Sequence, residues 1–232
     1  MRLLREIIRK VKYKIKFLGR IRENFFYLSN SQTNNTLTDL MNKYGSDKGG
    51  LNNHHNYSNY YSEIFNLKKN SVKYFLEIGL GTNNENIPSN MGKNGIPLAS
   101  LRAWRDYFIN AQIFGADIDK SILKDEGRIK TFFVDQCDPS TIENMFKNFG
   151  VSKFDIIIED GLHEYNANIT FFENSINYLS DDGIYIIEDV YYKDIKKFEK
   201  YFNNTNYNFS IVELYHKKNI ANNCLIKITK NV

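Results

Sequence analysis

The chain has 232 residues, 42% hydrophobic and 25% charged, which excludes a disordered or fibrous protein and predicts one soluble domain with an appendage. Its net charge of +4 is unevenly distributed. Residues 1–23 carry nine Lys or Arg and two Glu, a sum of +7, which leaves −3 for the rest of the chain and argues against nucleic-acid binding by the globular part. The only cysteines, Cys137 and Cys224, lie far apart and lack metal-ligand spacing, which favours a reducing, cytoplasmic setting. No apolar run approaches the roughly 18 residues of a membrane span.

Residues 1–30 are predicted to form a basic amphipathic helix, because apolar side chains recur at spacings of three and four with Lys and Arg on the other face. The apolar positions are Leu3, Leu4, Ile7, Ile8, Val11, Ile15 and Leu18. Such a helix can bind an anionic membrane through residues 1–23, which would place the protein at the inner face of the membrane. It can equally dock on the domain or on a neighbouring subunit, and the sequence leaves both alternatives open.

Residues 31–232 are predicted to form the domain itself, with residues 31–70 as a covering segment. Residues 30–60 are rich in Asn, Ser, Gly and Asp, which is typical of a loop, and a short helix is predicted over residues 37–44. The loop leads into the helical pattern YSEIFNL. We therefore expect this segment to fold over whatever the domain binds.

From residue 73 onward, apolar runs alternate with helical patterns. The predicted strands are KYFLEIGLG, AQIFGADID, RIKTFFVD, FDIIIED, DGIYIIED, YNFSIVELY and NNCLIKITK. The predicted helices between them are SLRAWRDYF, TIENMFKNF, ANITFFENSINYL and IKKFEKYF. This alternation predicts a Rossmann-like α/β fold with a seven-stranded, mostly parallel, doubly wound sheet and a C-terminal antiparallel hairpin. Trp104 lies at core spacing and is predicted to pack inside.

The first predicted strand ends in a Gly-rich turn, and ligands of open parallel sheets bind at the carboxyl ends of strands. The turn contains Glu77, Gly79 and Gly81, and its glycines let a ligand approach the backbone closely. The dinucleotide fingerprint needs a third glycine, but that position is Asn84. A nicotinamide-dependent oxidoreductase is therefore disfavoured.

Acidic residues follow the next two strands. Asp117 and Asp119 end the second strand, where a carboxylate can accept both hydroxyls of a ribose. Asp135, followed by Gln136, ends the third strand, where it can accept the exocyclic amine of an adenine. Each Asp alone is more often a helix N-cap. Together with the Gly-rich turn they describe an adenosine laid across three strand ends, which suits S-adenosylmethionine because that ligand has no phosphate.

The fourth and fifth strands run directly into charged residues, in FDIIIEDGLHE and GIYIIEDV. With FLEIGLG, SLRAWRDYF, AQIFGADID and RIKTFFVDQCDP, these motifs resemble the S-adenosylmethionine-dependent, metal-dependent sugar O-methyltransferases of the mycinamicin 2''-O-methyltransferase type, some of whose relatives carry a cephalosporin hydroxylase label. The resemblance covers about residues 40–192 and includes YGSDKGG and HNYSNYY, which are similar to the family's cofactor-covering segment.

The resemblance implies a metal centre and a base. The implied metal ligands are Asp160, Glu188 and Asp189. The implied catalytic residues are His163, as the general base, and Asp160. Glu159 and Leu162 replace the family's Asp and Ser and leave these positions intact. Three carboxylates suit Mg²⁺, which can lower the pKa of a bound hydroxyl, and an imidazole can accept its proton near neutral pH. His55 and Tyr57 match the family's His-x-Tyr, which implies closure over the cofactor or acceptor, with simple packing as the alternative.

The leading hypothesis is an O-methyltransferase that moves a methyl group from S-adenosylmethionine to a hydroxyl of a sugar or sugar conjugate, in a surface polysaccharide or a secondary metabolite. We expect a homo-oligomer with no nucleic-acid partner. One alternative is a non-catalytic scaffold that binds S-adenosylmethionine. Another is an iron-dependent hydroxylase, which would need two His and a carboxylate at one site, yet only His163 lies at a strand end.

Overall fold

The computed structural model describes residues 25–28, 35–50, 55–214, 216, 218–219 and 221–231. The predicted basic helix lies outside these residues except near its C-terminal end. There Phe25–Leu28 form a strand, β1, and the prediction of a helix over residues 1–30 is wrong at these four residues. Aromatic residues favour extended backbone, and β1 gains ladder hydrogen bonds by pairing in parallel with the strand Tyr207–Leu214.

The described strands form one eight-stranded sheet. The strands after β1 are β2 (Tyr74–Ile78), β3 (Gln112–Asp117), β4 (Ile129–Phe133), β5 (Phe154–Glu159), β6 (Leu179–Ile187), β7 (Tyr207–Leu214) and β8 (Cys224–Lys230). Their order is β1-β7-β8-β6-β5-β2-β3-β4. β8 is antiparallel to both neighbours, β6 and β7, and the other pairs are parallel. The predicted doubly wound, mostly parallel sheet with a C-terminal antiparallel pair is confirmed, and β1 is an additional strand.

Helices cover both faces of this sheet. In the described residues they are α1 (Thr36–Tyr44), α2 (Tyr57–Phe65), α3 (Ala99–Tyr107), α4 (Pro139–Asn148), α5 (Tyr165–Ser175) and α6 (Ile195–Phe202). The first three contribute to the apolar core on one face, and the last three to the core on the other. None of these helices is long and apolar enough to span a bilayer.

Burial on both faces explains why the parallel strands read as continuous apolar runs. In β5, Ile156 and Ile158 pack in one core, whereas Phe154 and Ile157 pack in the other. Trp104 is fully buried among aromatic rings of α2, β2 and α3, as predicted.

The topology creates a crevice at the carboxyl ends of the central strands. The chain places β3 and β4 on one side of β2, and β5 and β6 on the other. The connections after β2 and β5 therefore diverge, which is where ligands bind in open α/β sheets. Loops at this end enclose a cavity of about 1130 Å³, partly covered by residues 45–48 and 55.

Candidate active site

The turn after β2 touches the turn after β5. Gly79 has a φ of +83°, in the left-handed region that favours glycine, and a Cβ there would lie 1.8 Å from the backbone oxygen of Asp160. Both Gly79 and Gly81 line the cavity. Glycine at position 79 is therefore required for the close approach that brings the end of β5 to the cavity wall.

We expect Gly79→Ala to lower the free energy of unfolding by more than Gly150→Ala. Both glycines have left-handed backbone, at φ +83° and +72°, so both variants carry about 1–2 kcal/mol of backbone strain. A Cβ at Gly150 meets nothing within 4 Å, whereas the clash at Gly79 adds about 1–3 kcal/mol. Urea unfolding followed by circular dichroism measures both losses, and equal losses would contradict the close packing of the two turns.

The two acids after β3 have different surroundings. Asp117 lines the cavity, and its carboxylate accepts hydrogen bonds from the backbone N–H groups of Leu80 (2.6 Å) and Asp119 (2.8 Å). Burial raises the pKa of Asp117, and these hydrogen bonds oppose the rise. Asp119 instead accepts from Thr82 and from the backbone of Ser121 (2.9 Å), where it caps the 3-10 helix at residues 120–122. Asp117 is therefore the one of these two acids that lines the cavity.

Asp135 and Gln136 both line the cavity after β4. The Asp135 carboxylate accepts from the backbone N–H of Cys137 at 2.9 Å. The Gln136 amide donates to Glu159 at 2.9 Å, and its oxygen accepts from the backbone N–H of Leu162 at 2.6 Å. Gln136 thus supports the loop after β5, in addition to bordering the cavity.

The end of β5 places two adjacent carboxyl groups in different environments. Glu159 is fully buried and accepts hydrogen bonds from Gln136 (2.9 Å), Asn168 (2.6 Å) and Tyr185 (3.3 Å). Burial raises the pKa of Glu159 to about 8, although its hydrogen bonds act in the opposite direction. Asp160 instead lines the cavity. Glu159 therefore holds the end of β5 in place through buried hydrogen bonds, whereas Asp160 borders the cavity, where a ligand could reach it.

Asp160, His163 and Asp189 form a cluster on the cavity wall. His163 Nε2 lies 3.0 Å from Asp160 Oδ1, and its Nδ1 lies 3.6 Å from Asp189 Oδ2. His163 and Asp189 both have left-handed backbone, at φ 61° and 55°, which is uncommon for residues other than glycine. Burial lowers the pKa of His163, but Asp189 and Asp160 outweigh it and raise the pKa to about 9. The imidazole is therefore protonated near neutral pH when these carboxylates are its principal charged neighbours.

Lys48 places a second positive charge beside this cluster, and it was not among the site residues proposed from the sequence. Its Nζ lies 2.7 Å from Glu188 Oε2 and 3.5 Å from Glu77 Oε1, and it also donates to Asp160 Oδ2. These carboxyl groups come from the ends of β6, β2 and β5. Burial raises the pKa of Glu77 to about 7, and Lys48 opposes the rise. The available sequence signal was the position of Lys48 within the motif YGSDKGG.

The covering segment also supplies hydroxyl donors to the acidic pair after β6. Tyr57 donates to Asp189 Oδ1 and Tyr61 donates to Glu188 Oε1, each at 2.5 Å. His55 stacks on Tyr57 with ring centroids 4.6 Å apart, and its Nδ1 lies 3.3 Å from Asp189. His55 and Tyr57 thus contact the cluster from the covering side, and Tyr61 is a further contact that sequence reasoning missed.

The donor set of the cluster and its neighbours fits a divalent cation. The carboxyl groups of Asp160, Asp189, Glu77 and Glu188 surround one lysine and one imidazole, and carboxylate oxygens are the ligands that Mg²⁺ prefers. Ligand atoms of Asp160, His163 and Asp189 lie within 4.8 Å of one another. Glu188 is outside this group, and its two oxygens face Lys48 and Tyr61.

Comparison with known proteins identifies relatives of this chain, although no model of a protein family matches it. It is 30% identical over 154 residues to the 8-demethyl-8-alpha-L-rhamnosyl tetracenomycin-C 2'-O-methyltransferase of Streptomyces olivaceus. The matched region covers 66% of this chain and 37% of that protein. It is 34% identical over 157 residues to the mycinamicin VI 2''-O-methyltransferase of Micromonospora griseorubida. This match covers 67% of this chain and 36% of that protein. The chain thus spans little more than a third of the length of these relatives.

Solved structures agree with this relationship. The MycE methyltransferase from the mycinamycin biosynthetic pathway, in complex with Mg and SAH (S-adenosylhomocysteine), is 31% identical, with a TM-score of 0.56 over 68% of this chain and 40% of that chain. The SAH-bound Podospora anserina methyltransferase PaMTH1 is 13% identical, with a TM-score of 0.54 over 88% and 91%, and supports the fold alone. The chain belongs to the family of S-adenosylmethionine-dependent, metal-dependent sugar O-methyltransferases.

Proposed function

We propose that the protein transfers the methyl group of S-adenosylmethionine to a hydroxyl group of a sugar. The observation that carries the proposal is the cluster of Asp160, His163 and Asp189 on the cavity wall, beside the Gly79 turn. A sugar hydroxyl is a poor nucleophile until its proton leaves, whereas the sulfonium methyl is already activated. A base and a Lewis acid next to the cofactor are therefore the groups that the reaction needs.

The cofactor would lie across the ends of β2, β3 and β4. The turn at Glu77, Gly79 and Gly81 would approach its methionine part, because glycine lets a ligand reach the backbone. Asp117 would accept the ribose hydroxyls, and Asp135 with Gln136 would border the adenine. These roles are supported by the lining of one cavity by Gly79, Gly81, Asp117, Asp135 and Gln136. His55 lines this cavity and would close it from the covering side, and Tyr57, which does not line the cavity, would support His55 through their stacked rings.

Asp160, Glu188 and Asp189 would hold Mg²⁺. When bound, Mg²⁺ supplies a Lewis acid that can lower the pKa of an acceptor hydroxyl. We assign His163 as the base that would receive the proton, because its imidazole lies beside Asp160 and Asp189, two of the carboxylates that would hold the metal and the hydroxyl bound to it. It must first lose its own proton, and positive charge beside Asp160 and Asp189 favours the neutral imidazole.

The acceptor would be a sugar or a sugar conjugate of a secondary metabolite or surface polysaccharide. This proposal is supported by the relatives, since MycE has been solved with Mg, SAH and mycinamycin VI. Two vicinal hydroxyls would suit a metal with open coordination positions. Homo-oligomer formation and membrane association through residues 1–23 stay predictions, and residues 1–23 lie outside the described residues.

The direct test is formation of S-adenosylhomocysteine from S-adenosylmethionine with a panel of free, nucleotide-linked and lipid-linked sugars. We expect turnover with at least one sugar, and we expect loss of turnover when a chelator removes Mg²⁺. A protein that binds S-adenosylhomocysteine but turns over with none of the sugars would support the non-catalytic scaffold.

We expect Asp117→Asn to weaken S-adenosylhomocysteine binding at least about tenfold, since hydrogen bonds to a charged group contribute roughly 1.5–3 kcal/mol. Asn keeps one of the two oxygens that accept from the backbone and loses the charge that would face the ribose. Asp119→Asn is the matched control, because Asp119 belongs to the same turn and caps a 3-10 helix. Calorimetric titration of S-adenosylhomocysteine measures both affinities. Equal weakening by the two substitutions would contradict the ribose contact.

A further inference from the structure

We propose that Lys48 is a resident counter-ion that competes with the divalent cation for the carboxylates of the active site. The inference rests on the proposed function for the identity of the competing cation. Lys48 acts through Asp160 and Glu188, so it is a positioning residue and not a catalytic one. It would hold these side chains in place when no metal is bound and would set the affinity of the site for the metal.

The position of Lys48 is the first support. Its side chain is 3% exposed, and its Nζ contacts Asp160 and Glu188, the latter at 2.7 Å. Both are proposed metal ligands, and Lys48 takes one oxygen from each. The ammonium therefore occupies the space between two carboxylates from the neighbouring strands β5 and β6.

The local backbone is built to deliver this side chain. Ser46 caps the 3-10 helix at residues 47–49, and Gly50 ends it with left-handed backbone at φ +87°. Lys48 and Gly49 are both buried. A lysine seldom occupies such a position unless it is paired, because taking an ammonium out of water costs several kcal/mol in effective terms.

Charge is the second support. Without Lys48, Glu77, Asp160 and Glu188 would face one another in a buried space. Like charges in such a space disfavour ionisation and folding unless a cation compensates them. A lysine that is covalently part of the chain supplies this compensation at all metal concentrations. A divalent cation must therefore bind beside Lys48 or displace it, and in both cases the ammonium opposes metal binding.

The test is calorimetric titration of Mg²⁺ into the full chain saturated with S-adenosylhomocysteine, comparing wild type with Lys48→Gln. We expect the dissociation constant for Mg²⁺ to fall about tenfold in Lys48→Gln, because one opposing charge is removed at short range. We also expect the melting temperature of Lys48→Gln to rise more on adding Mg²⁺ than that of wild type. A purely structural lysine would give the opposite result, since its loss would loosen the ligands and weaken binding.

Two variants separate charge from packing. Lys48→Arg keeps the charge, so we expect it to bind Mg²⁺ no more tightly than wild type. Lys68→Gln is the matched control, because Lys68 pairs with Asp182 (3.5 Å) at the other end of the sheet, and we expect its Mg²⁺ affinity to equal that of wild type.

If Lys48→Gln folds only with Mg²⁺, the metal replaces the missing ammonium, which supports the inference. If it does not fold at all, Lys48→Arg decides: tighter Mg²⁺ binding than wild type would overturn the inference, and equal or weaker binding supports it.

The outcomes also distinguish this inference from the proposed function. Binding of Mg²⁺ to wild type with weaker or equal binding to Lys48→Gln would overturn the competition and leave the metal site standing. Binding to Lys48→Gln alone would support the competition and overturn a magnesium-dependent wild-type enzyme. Binding to neither protein would overturn both.

Discussion

Replacing Asp160 with Ala is expected to abolish detectable binding of Mg²⁺ to the protein saturated with S-adenosylhomocysteine. Asp160 lies between His163 Nε2, at 3.0 Å, and the ammonium of Lys48, so its loss removes a proposed ligand and leaves both cations facing the site. Loss of an outer-shell partner alone typically weakens a metal site about 10–100-fold, and a first ligand contributes more. Calorimetric titration of Mg²⁺ measures the loss.

Asp155→Asn is the control for this experiment. Asp155 lies on β5, the strand that ends just before Asp160, and its carboxylate accepts from the backbone N–H groups of Lys73 (2.6 Å) and Tyr74 (2.9 Å) near the amino ends of β2 and β5. We expect this variant to bind Mg²⁺ like wild type. Metal binding by Asp160→Ala with unchanged affinity would contradict the assignment of the carboxylates after β5 and β6 to a metal centre.

Replacing His163 with Asn is expected to lower kcat by about 10²–10⁴, the usual contribution of a general base. Asn is chosen because the backbone at position 163 has a φ of 61°, and Asn tolerates left-handed backbone better than most residues. The substitution removes the imidazole with little added strain. Initial rates with any sugar identified as an acceptor measure the effect.

Binding measurements show whether this loss is chemical. S-adenosylhomocysteine affinity is expected to stay within about threefold of wild type in His163→Asn, because base catalysis acts on the acceptor proton and not on the cofactor. A variant that keeps most of its turnover would exclude His163 as the base. A variant that loses cofactor affinity in parallel with turnover would point instead to a role in holding the loop after β5.

Much of the fold is predictable from hydrophobic patterning, because the central strands are buried on both faces and therefore read as apolar runs. The rule that ligands bind at carboxyl strand ends also predicts which side chains meet. Asp117, Asp135, Asp160 and Asp189 stand at the ends of four different strands, and all four line one cavity. Local pattern and sheet topology are sufficient for these residues because each one is the last residue of a strand or lies within two residues of its end.

The remaining features depend on contacts that sequence spacing does not encode. Lys48 reaches Glu188 across 140 residues, and Tyr61 reaches the same carboxylate across 127. Neither residue belongs to a strand end. Glu159 and Asp160 are adjacent acids, and sequence spacing does not show that Asn168 and Gln136 bind Glu159 in the interior while Asp160 lines the cavity.

The insertion of β8 between β6 and β7 has a consequence for biosynthesis. The backbone oxygen of Cys224 accepts from the N–H of Val190 at 3.0 Å, beside Asp189, and that of Asn222 accepts from Tyr57 at 3.0 Å. Because β8 is the last described strand in the chain, these two hydrogen bonds can form only after the ribosome has synthesised the other described strands. A nascent chain that stops before residue 222 presents β6 and β7 as open strand edges, which invite pairing with other chains. Assembly of the site is thus a late event in synthesis, and we expect stalled chains to aggregate more readily than the folded domain.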